Sequence, residues 1–268
     1  MRPIALTIAG SDPSGGAGIQ ADLKTFHQLG VYGTSAITLV TVQNTVSVSR
    51  VEVLGAQLVA AQIRAVMDDL PPQAAKTGAL GSAGVIFAIV EALAGSRVPL
   101  VVDPVMISTH GAFLLDEPGR TALRDLLLPR ATLVTPNLLE AAELAQMPVT
   151  TPAQMHEAAV RIAAFGPQAV LVKGGHLEGR ALEGSALDVL YRDGAFTHYE
   201  SPRFDTAHTH GTGCTYSAAI TAYLARGFAL KEAIGTAKAF ITEAIRSAPG
   251  IGAGHGPVNH WAVPSGSL

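Results

Sequence analysis

The residues whose types and spacing best predict chemistry form the stretch Thr209-His210-Gly211-Thr212-Gly213-Cys214-Thr215. Its two glycines lie in a short polar loop, and a helical apolar pattern follows from Tyr216. Such a loop can direct backbone N–H groups and the positive end of a helix dipole at an anion. Because a helix N-terminus lowers a thiol pKa, Cys214, the only cysteine of the chain, is the candidate reactive group. We therefore expect phosphoryl transfer; the competing interpretation is an inert, buried cysteine.

Acidic and amide residues follow two of the predicted strands. Asp103-Pro104-Val105-Met106 comes directly after an apolar run, where a carboxylate suits Mg²⁺ held through water near phosphates. Asn137 and Glu140 lie three residues apart at a predicted helix start, so both can face one ligand and hold the metal's water shell. An Asx turn before proline and an acid that complements the helix dipole are the competing explanations.

Two further stretches have groups suited to binding phosphate. Ser11 to Gly18 is a glycine-rich strand-to-helix turn without the Walker A or the dinucleotide spacing. Lys173-Gly174-Gly175-His176 places a cation before two glycines, where the lysine could neutralise phosphate charge. A capping turn that needs glycine for its dihedral angles and a solvated lysine at a strand end are the alternatives.

Gln43 follows a buried strand and is a candidate for recognising a flat ring. Its amide could donate to a ring nitrogen and accept from a ring amine. The competing interpretation is an amide that satisfies loop backbone.

The elements that must position these groups alternate between apolar strands and amphipathic helices. The predicted strands are Ile4–Ala9, Ser35–Val42, Ala74–Thr77, Leu100–Val102, Thr132–Thr135 and Ala169–Val172. Continuous apolar runs are typical of strands buried on both faces, and this βαβα order predicts a mostly parallel sheet between two helical layers. Because ligands bind at the carboxyl ends of such strands, we expect the polar groups above to meet at one edge.

The pattern changes toward the end of the chain. Leu187–Tyr191 and Phe196–Tyr199 flank a hairpin signal, and two helices are predicted around Cys214–Arg226 and Lys231–Ser247. The tail from Pro249 is rich in Gly, Pro and Ser and is predicted to meander or fray. No long linker interrupts residues 1–268, so we expect a single domain.

Composition excludes several function classes. The 268 residues are 48% hydrophobic and 15% charged, with a formal net charge of −3 and no run of like charges. We therefore expect a globular protein with neither nucleic acid nor membrane as partner. One cysteine, no apolar run of transmembrane length and no signal-peptide pattern predict a cytoplasmic protein.

Taken together, these motifs resemble the ribokinase superfamily, and within it the hydroxymethylpyrimidine/phosphomethylpyrimidine kinases of thiamine biosynthesis. The matching stretches run in family order along nearly the whole chain. They are Ala5 to Thr25, Val42-Gln43-Asn44-Thr45, Asp103-Pro104-Val105-Met106, Thr135-Pro136-Asn137, Lys173 to His176 and Thr209 to Cys214.

The resemblance implies a three-layer α/β/α, ribokinase-like fold, use of ATP and Mg²⁺, and a small-molecule substrate. That substrate would be 4-amino-5-hydroxymethyl-2-methylpyrimidine and then its monophosphate, giving the diphosphate. By position, the resemblance implies that an anion hole is formed by Gly211, Thr212, Gly213 and Cys214, and that Cys214 is the base. It implies that the substrate is bound by Gln43, Asp22, Gly10 and Val105. It also implies that the nucleotide is bound by Lys173, Thr209 and Asn137, and magnesium by Asp103 and Glu140. Relatives also suggest a homodimer.

Two departures from the family pattern leave alternatives open. Ala79 stands where methionine is frequent, which would loosen the pocket over the ring. Thr109-His110-Gly111 stands where many members have Lys-Ser-Gly, so a lysine for a substrate phosphate is absent. A pyridoxal or pyridoxine kinase is the nearest alternative, and a non-catalytic nucleotide or vitamin sensor on the same scaffold is the other.

Overall fold

The computed structural model describes residues 2–106, 114–175 and 184–263. Within these residues one sheet contains nine strands. The strands are β1 (Ile4–Ser11), β2 (Tyr32–Gln43), β3 (Val48–Val53), β4 (Ala74–Thr77), β5 (Leu100–Val102), β6 (Leu133–Val134), β7 (Val170–Lys173), β8 (Ser185–Arg192) and β9 (Ala195–Pro202).

The strand order across the sheet is β3-β2-β1-β4-β5-β6-β7-β8-β9. Strands β2, β1, β4, β5, β6 and β7 are parallel to their neighbours in this run, whereas β3, β8 and β9 pair antiparallel. The chain moves from β1 to one side and later returns to place β4 on the other side. A crevice therefore opens between the carboxyl ends of β1 and β4, which is where open α/β sheets bind ligands.

Helices cover both faces of the sheet. They are α1 (Gly18–Gln28), α2 (Ala56–Asp69), α3 (Ala83–Ala92), α4 (Glu117–Ala122), α5 (Leu138–Ala145), α6 (Pro152–Ala163), α7 (Thr212–Ala225) and α8 (Leu230–Arg246). A π turn and a 3₁₀ turn extend α4 to Arg130. Helices α1, α7 and α8 pack on one face and α2 to α6 on the other, which gives three layers.

The apolar core lies on both sides of the sheet, because successive residues of the central strands point to opposite faces. Ile8 and Val102 pack with Ile86 under one helical layer, while Val101 and Leu171 pack under the other. The fully buried central strands explain why their sequences are continuous apolar runs.

The predicted fold class is confirmed, and each predicted strand is present with its ends shifted by at most three residues. Strand β3 was not predicted, because Val48–Val53 is an exposed edge strand that lacks a continuous apolar run. The predicted fraying of the tail is wrong for residues 256–262. His210 N–H donates to the Gly256 carbonyl at 3.1 Å, and Val258 and Ala262 are buried.

Candidate active site

A cleft of about 1040 Å³ runs along the carboxyl edge of the parallel strands. All but one of the predicted site residues line it. They are Gly10, Gln43, Asp103, Val105, Asn137, Glu140, Lys173, Thr209, Gly211, Thr212, Gly213 and Cys214. Convergence at one sheet edge, predicted from strand order alone, is therefore what the structure shows.

The N-termini of α1 and α7 meet at the floor of this cleft. Gly211 caps α7 with φ 78°, and a Cβ there would lie 1.8 Å from the Gly16 carbonyl oxygen. Gly18 opens α1 with φ 56°, and its Cβ would lie 2.3 Å from the Gly10 carbonyl oxygen. Glycine at 211 lets the start of α7 touch the loop before α1, and glycine at 18 lets the start of α1 touch the end of β1, so two positive helix ends lie close together at the cleft.

Cys214 lies at this junction, but its acidity differs from the sequence prediction. The backbone N–H of Gly18 and the charge of Lys76 favour the thiolate. Burial outweighs them and raises the pKa of the Cys214 thiol to about 12. The expected lowering of this pKa is therefore wrong, because desolvation of the thiol outweighs the groups that would stabilise the anion.

Asp103 and Lys173 form an ion pair beside the first turn of α7. Lys173 Nζ lies 3.0 Å from Asp103 Oδ1, and Thr135 Oγ1 donates to the same oxygen at 3.2 Å. Burial would raise the pKa of Asp103, but Lys173 and Lys76 hold it below its usual value. A Cβ on Gly213 would lie 3.3 Å from Lys173 Nζ, so the cation is next to the predicted anion hole.

Asn137 and Glu140 form a capping box at the start of α5. Asn137 Oδ1 accepts from Glu140 N–H at 2.9 Å, and Glu140 Oε2 accepts from Asn137 N–H at 2.8 Å. Both side chains therefore have a structural role at this helix start, which the sequence analysis did not foresee as a capping box, and both also line the cleft. Burial raises the pKa of Glu140 from 4.5 to about 7, against the attraction of Lys173.

These donors fit a magnesium ion that keeps much of its water shell. Among the described residues no group of three or more His, Cys, Asp or Glu side chains could enclose a metal. Two carboxylates, Asp103 and Glu140, nevertheless line the same cleft. Burial, with a contribution from the Asp103 charge, raises the pKa of Glu140, and a cation added beside these two carboxylates would be stabilised by both.

Asp22 is the predicted site residue that the structure places elsewhere. Its side chain is fully buried behind the cleft wall, with Oδ1 2.7 Å from Lys76 Nζ and Oδ2 accepting from Thr7 Oγ1 at 2.6 Å. Burial opposes charge on Lys76, but the adjacent carboxylate raises the pKa of its ammonium group. Asp22 thus stabilises Lys76, whose Nζ lies 3.4 Å from the Cys214 carbonyl oxygen, and does not line the cleft.

The comparisons with known proteins agree with this geometry. Residues 12–259 match the family model described as phosphomethylpyrimidine kinase. The chain belongs to this family. The chain is 46% identical over 97% of its length to the hydroxymethylpyrimidine/phosphomethylpyrimidine kinase of Streptomyces coelicolor, and covers 96% of that protein. It is 48% identical to the thiamine biosynthesis bifunctional protein ThiED of Geobacter sulfurreducens but spans only 52% of that protein's length.

Solved structures similar to this phosphomethylpyrimidine kinase family member include two kinds of vitamin kinase. An ADP complex of Bacillus subtilis pyridoxal kinase superposes with a TM-score of 0.90 at 41% identity, covering 98% of each chain. A phosphomethylpyrimidine kinase from Clostridium difficile superposes with a TM-score of 0.80 at 44% identity, covering 91% of this chain and 100% of that one.

Sequence reasoning missed two functional candidates in this kinase, Asp12 and His210. Both line the cleft, and His210 Nε2 lies 2.8 Å from Asp12 Oδ2. Each residue lies inside one of the two glycine-rich motifs, and this position is the sequence signal that could have identified it. Ala79 also lines the cleft. The predicted departure at Thr109-His110-Gly111, and His176, lie outside the described residues.

No described helix is both long and apolar enough to span a bilayer.

Proposed function

We propose that this kinase transfers the γ-phosphoryl group of ATP to the hydroxymethyl group of 4-amino-5-hydroxymethyl-2-methylpyrimidine, and then to the resulting monophosphate. The observation that carries this proposal is the common cleft. This cleft contains the proposed anion hole at the start of α7, the Lys173 ammonium group, and Gln43, whose amide would hydrogen-bond the ring of the acceptor. The chain is also 46% identical to an enzyme named for this substrate.

The anion hole supplies electrostatic stabilisation of the transferred group. Gly213 and Cys214 lie in the first turn of α7, whose N–H groups have no helical carbonyl to donate to. These donors face the space where oxygens of the γ-phosphoryl group would develop charge. Lys173 adds a cation beside them, while Thr209 and Asn137 line the part of the cleft assigned to the nucleotide.

Cys214 is the proton acceptor in this proposal. The substrate oxygen forms a bond to the γ-phosphorus, the bond from that phosphorus to ADP breaks, and the hydroxyl proton passes to the Cys214 thiolate. Because the thiol pKa is about 12, only a small fraction of the sulfur is ionised at neutral pH. In this mechanism the rate of transfer follows that ionised fraction and rises with pH.

Asp103 and Glu140 would hold Mg²⁺ through its water shell. When bound, the ion would neutralise charge on the nucleotide phosphates. Val105 and Gly10 would contact the ring of the acceptor, with Gln43 at its polar edge.

The test is ADP release with ATP, Mg²⁺ and each of three acceptors: the aminopyrimidine, its monophosphate and pyridoxal. We expect the two pyrimidines to be turned over and Cys214→Ala to lose about 10²–10⁴ in rate while remaining folded. If pyridoxal is the only one of the three acceptors that gives ADP release, it replaces the pyrimidine as the proposed substrate. Near-normal turnover by Cys214→Ala would exclude Cys214 as the proton acceptor.

Pyridoxal phosphorylation is the second candidate because a specific observation favours it. The described chain superposes with a TM-score of 0.90 on Bacillus subtilis pyridoxal kinase, and the small Ala79 side chain leaves space at the cleft. The same acceptor panel separates the two activities.

The proposal includes a single kinase domain that works as a cytoplasmic homodimer without nucleic-acid or membrane partners. Exposed Val40 and Val42 lie two residues apart on β2 and so share one face of the sheet, which offers an apolar patch for a second copy. Light scattering on the purified protein tests the dimer, and Val42→Lys should shift it toward monomer.

A further inference from the structure

Two histidines from different elements meet on the surface, away from the cleft. His156 lies in α6 and His198 lies in β9, the last strand of the sheet, and their Nε2 atoms are 2.7 Å apart. Neither belongs to the described residues that line the cleft. Because neutral imidazole is the commonest metal ligand among side chains, the pair is a candidate metal site.

The framework behind the pair is buried and well packed. Val189 of β8 is the register partner of His198, and it lies with Met155 of α6 in one apolar core. On the outer side, the Phe196 ring meets the His156 ring edge-on, with centroids 4.4 Å apart. These contacts hold the two imidazoles near each other, so a ligand that joins them costs little additional side-chain entropy.

The hydrogen bond within the pair leaves lone pairs that a cation can take. One Nε2 donates its proton to the lone pair of the other. When that proton moves to Nδ1 of its own ring, both rings stay neutral and both Nε2 atoms present a lone pair to the same point. Burial, and then the charge of His198, lower the pKa of His156, which favours this neutral form.

The spacing of the two nitrogens indicates which ions fit. With metal–nitrogen bonds of about 2.0–2.1 Å, two ligands at a right angle lie about 2.9 Å apart, and two at the tetrahedral angle lie about 3.3 Å apart. The observed 2.7 Å is nearer to the right-angled spacing. Square-planar and tetragonal sites of this kind suit Cu²⁺ and Ni²⁺, whereas protein-bound Zn²⁺ is usually tetrahedral.

We propose that His156 and His198 form a surface site for a divalent transition-metal ion of the Ni²⁺ or Cu²⁺ type, with water in the remaining positions. Within the described part of the chain, no group of three or more His, Cys, Asp or Glu side chains encloses a metal, so the site is open and exchanges its ion readily. Glu200 lies two residues beyond His198 on the same strand face, and its charge favours a cation there. The bound ion would join the edge strand to α6.

Equilibrium dialysis against NiCl₂ tests the site, with excess Mg²⁺ present to fill sites made of oxygen ligands. We expect His156→Gln and His198→Gln each to weaken Ni²⁺ binding by about tenfold or more, because a single imidazole cannot chelate the ion. His27→Gln is the matched control, since it removes an exposed histidine outside the pair and should bind as wild type does. Unchanged Ni²⁺ affinity in His198→Gln overturns the proposal, even if His156→Gln does not fold.

A spectroscopic readout identifies the ligands directly. With one equivalent of Cu²⁺, the electron paramagnetic resonance spectrum should show coupling to two imidazole nitrogens in wild type and in His27→Gln, and to fewer in His198→Gln. A wild-type spectrum that shows fewer than two coupled nitrogens, or that His198→Gln leaves unchanged, overturns the proposal. Both readouts measure metal binding alone, so this inference does not depend on the proposed function.

Discussion

At the scale of single residues, burial decides how the charged groups of the cleft behave. Cys214 and Glu140 both gain higher pKa values than their ordinary ones, about 12 and about 7, because the cleft floor withdraws them from water. Each group is held near a partner that favours its charged form, Lys76 for the thiolate and Lys173 for the carboxylate. A nucleotide and the proposed magnesium ion would each change this balance when bound, because both bring charge close to these two groups.

The Cys214 pKa predicts a distinctive pH profile. If the thiolate is the base, its population rises about tenfold for each pH unit below 12, so kcat should rise between pH 7 and 9. Cys214→Asp supplies a base that is already ionised at pH 7 and should flatten this rise. Steady-state rates of both proteins at saturating substrate measure it. A flat wild-type profile, with product release shown not to limit the rate, would contradict the thiolate mechanism.

Glu140 predicts a gain of stability on removal of its charge. The native pKa of about 7 exceeds the ordinary 4.5, so between these values the native state binds more protons than the unfolded state. The free energy of unfolding then falls as pH rises through this window. Glu140→Gln should lose this dependence and gain up to roughly 3 kcal/mol relative to wild type by pH 8, while its kinase activity falls. Urea unfolding at pH 4.5 and 8 measures the change; an equal difference at both pH values would refute it.

At the scale of elements, the close approach of the α7 N-terminus to the loop before α1 builds the predicted anion hole. Gly211, at positive φ, permits this approach to Gly16, and Gly18, also at positive φ, lets α1 begin against the end of β1 at Gly10. If the proposed anion hole is correct, phosphate binding depends on these backbone-to-backbone distances.

Two alanine substitutions in α7 should separate folding from phosphate binding. Gly211→Ala forces a Cβ against the Gly16 carbonyl oxygen at positive φ, so we expect a loss of several kcal/mol in stability. Gly213→Ala meets no backbone atom, only the side-chain ends of Lys173 at 3.3 Å and Asp103 at 3.7 Å, so the protein should fold with a higher KM for ATP. Thermal unfolding and ATP titration measure the pair. Equal stability of the two variants would contradict the close approach.

The Asp22–Lys76 pair connects α1 to β4 beneath the anion hole. Both side chains are fully buried, so Asp22→Asn would leave an uncompensated ammonium charge and should cost about 3–5 kcal/mol. Asp22→Leu combined with Lys76→Met removes both charges and should recover most of that loss. Chemical denaturation of the three proteins gives the comparison. If the double variant were less stable than Asp22→Asn, the pair would be stabilising in itself.

At the scale of the whole molecule, residues after α8 return to the cleft beside His210. Val258 N–H donates to the His210 carbonyl at 3.3 Å, and Gln28 Nε2 donates to the Ala262 carbonyl at 3.2 Å. The segment thus holds the loop before α7 against the layer formed by α1. Packing of this segment therefore contributes to the free energy of unfolding and also holds His210 in place.

A pair of substitutions in this segment tests that coupling. Val258 is 1% exposed, so Val258→Ala should cost about 2 kcal/mol through lost burial and a cavity. Trp261 is 69% exposed, and Trp261→Ala should change the stability little, which makes it the control. Equilibrium unfolding in urea measures both; equal effects would show that the tail does not pack as described.

The sequence alone determined the fold class and the edge of the sheet where the site lies. Apolar runs mark Leu100–Val102 and Ala169–Val172 as buried strands, and parallel strands bring their carboxyl ends to one side whatever the side chains are. The glycine motifs around Gly18 and Gly211 also have a local signature, because positive φ favours glycine.

Only the tertiary structure decided how the groups at that edge are charged and paired. Asp22 pairs with Lys76, which is 54 positions away in the sequence, and Gln43 contacts His210, which is 167 positions away. The Cys214 pKa follows the depth of burial and not its place at a helix start. Burial and long-range pairing depend on how distant segments pack, and no local pattern of residues specifies them.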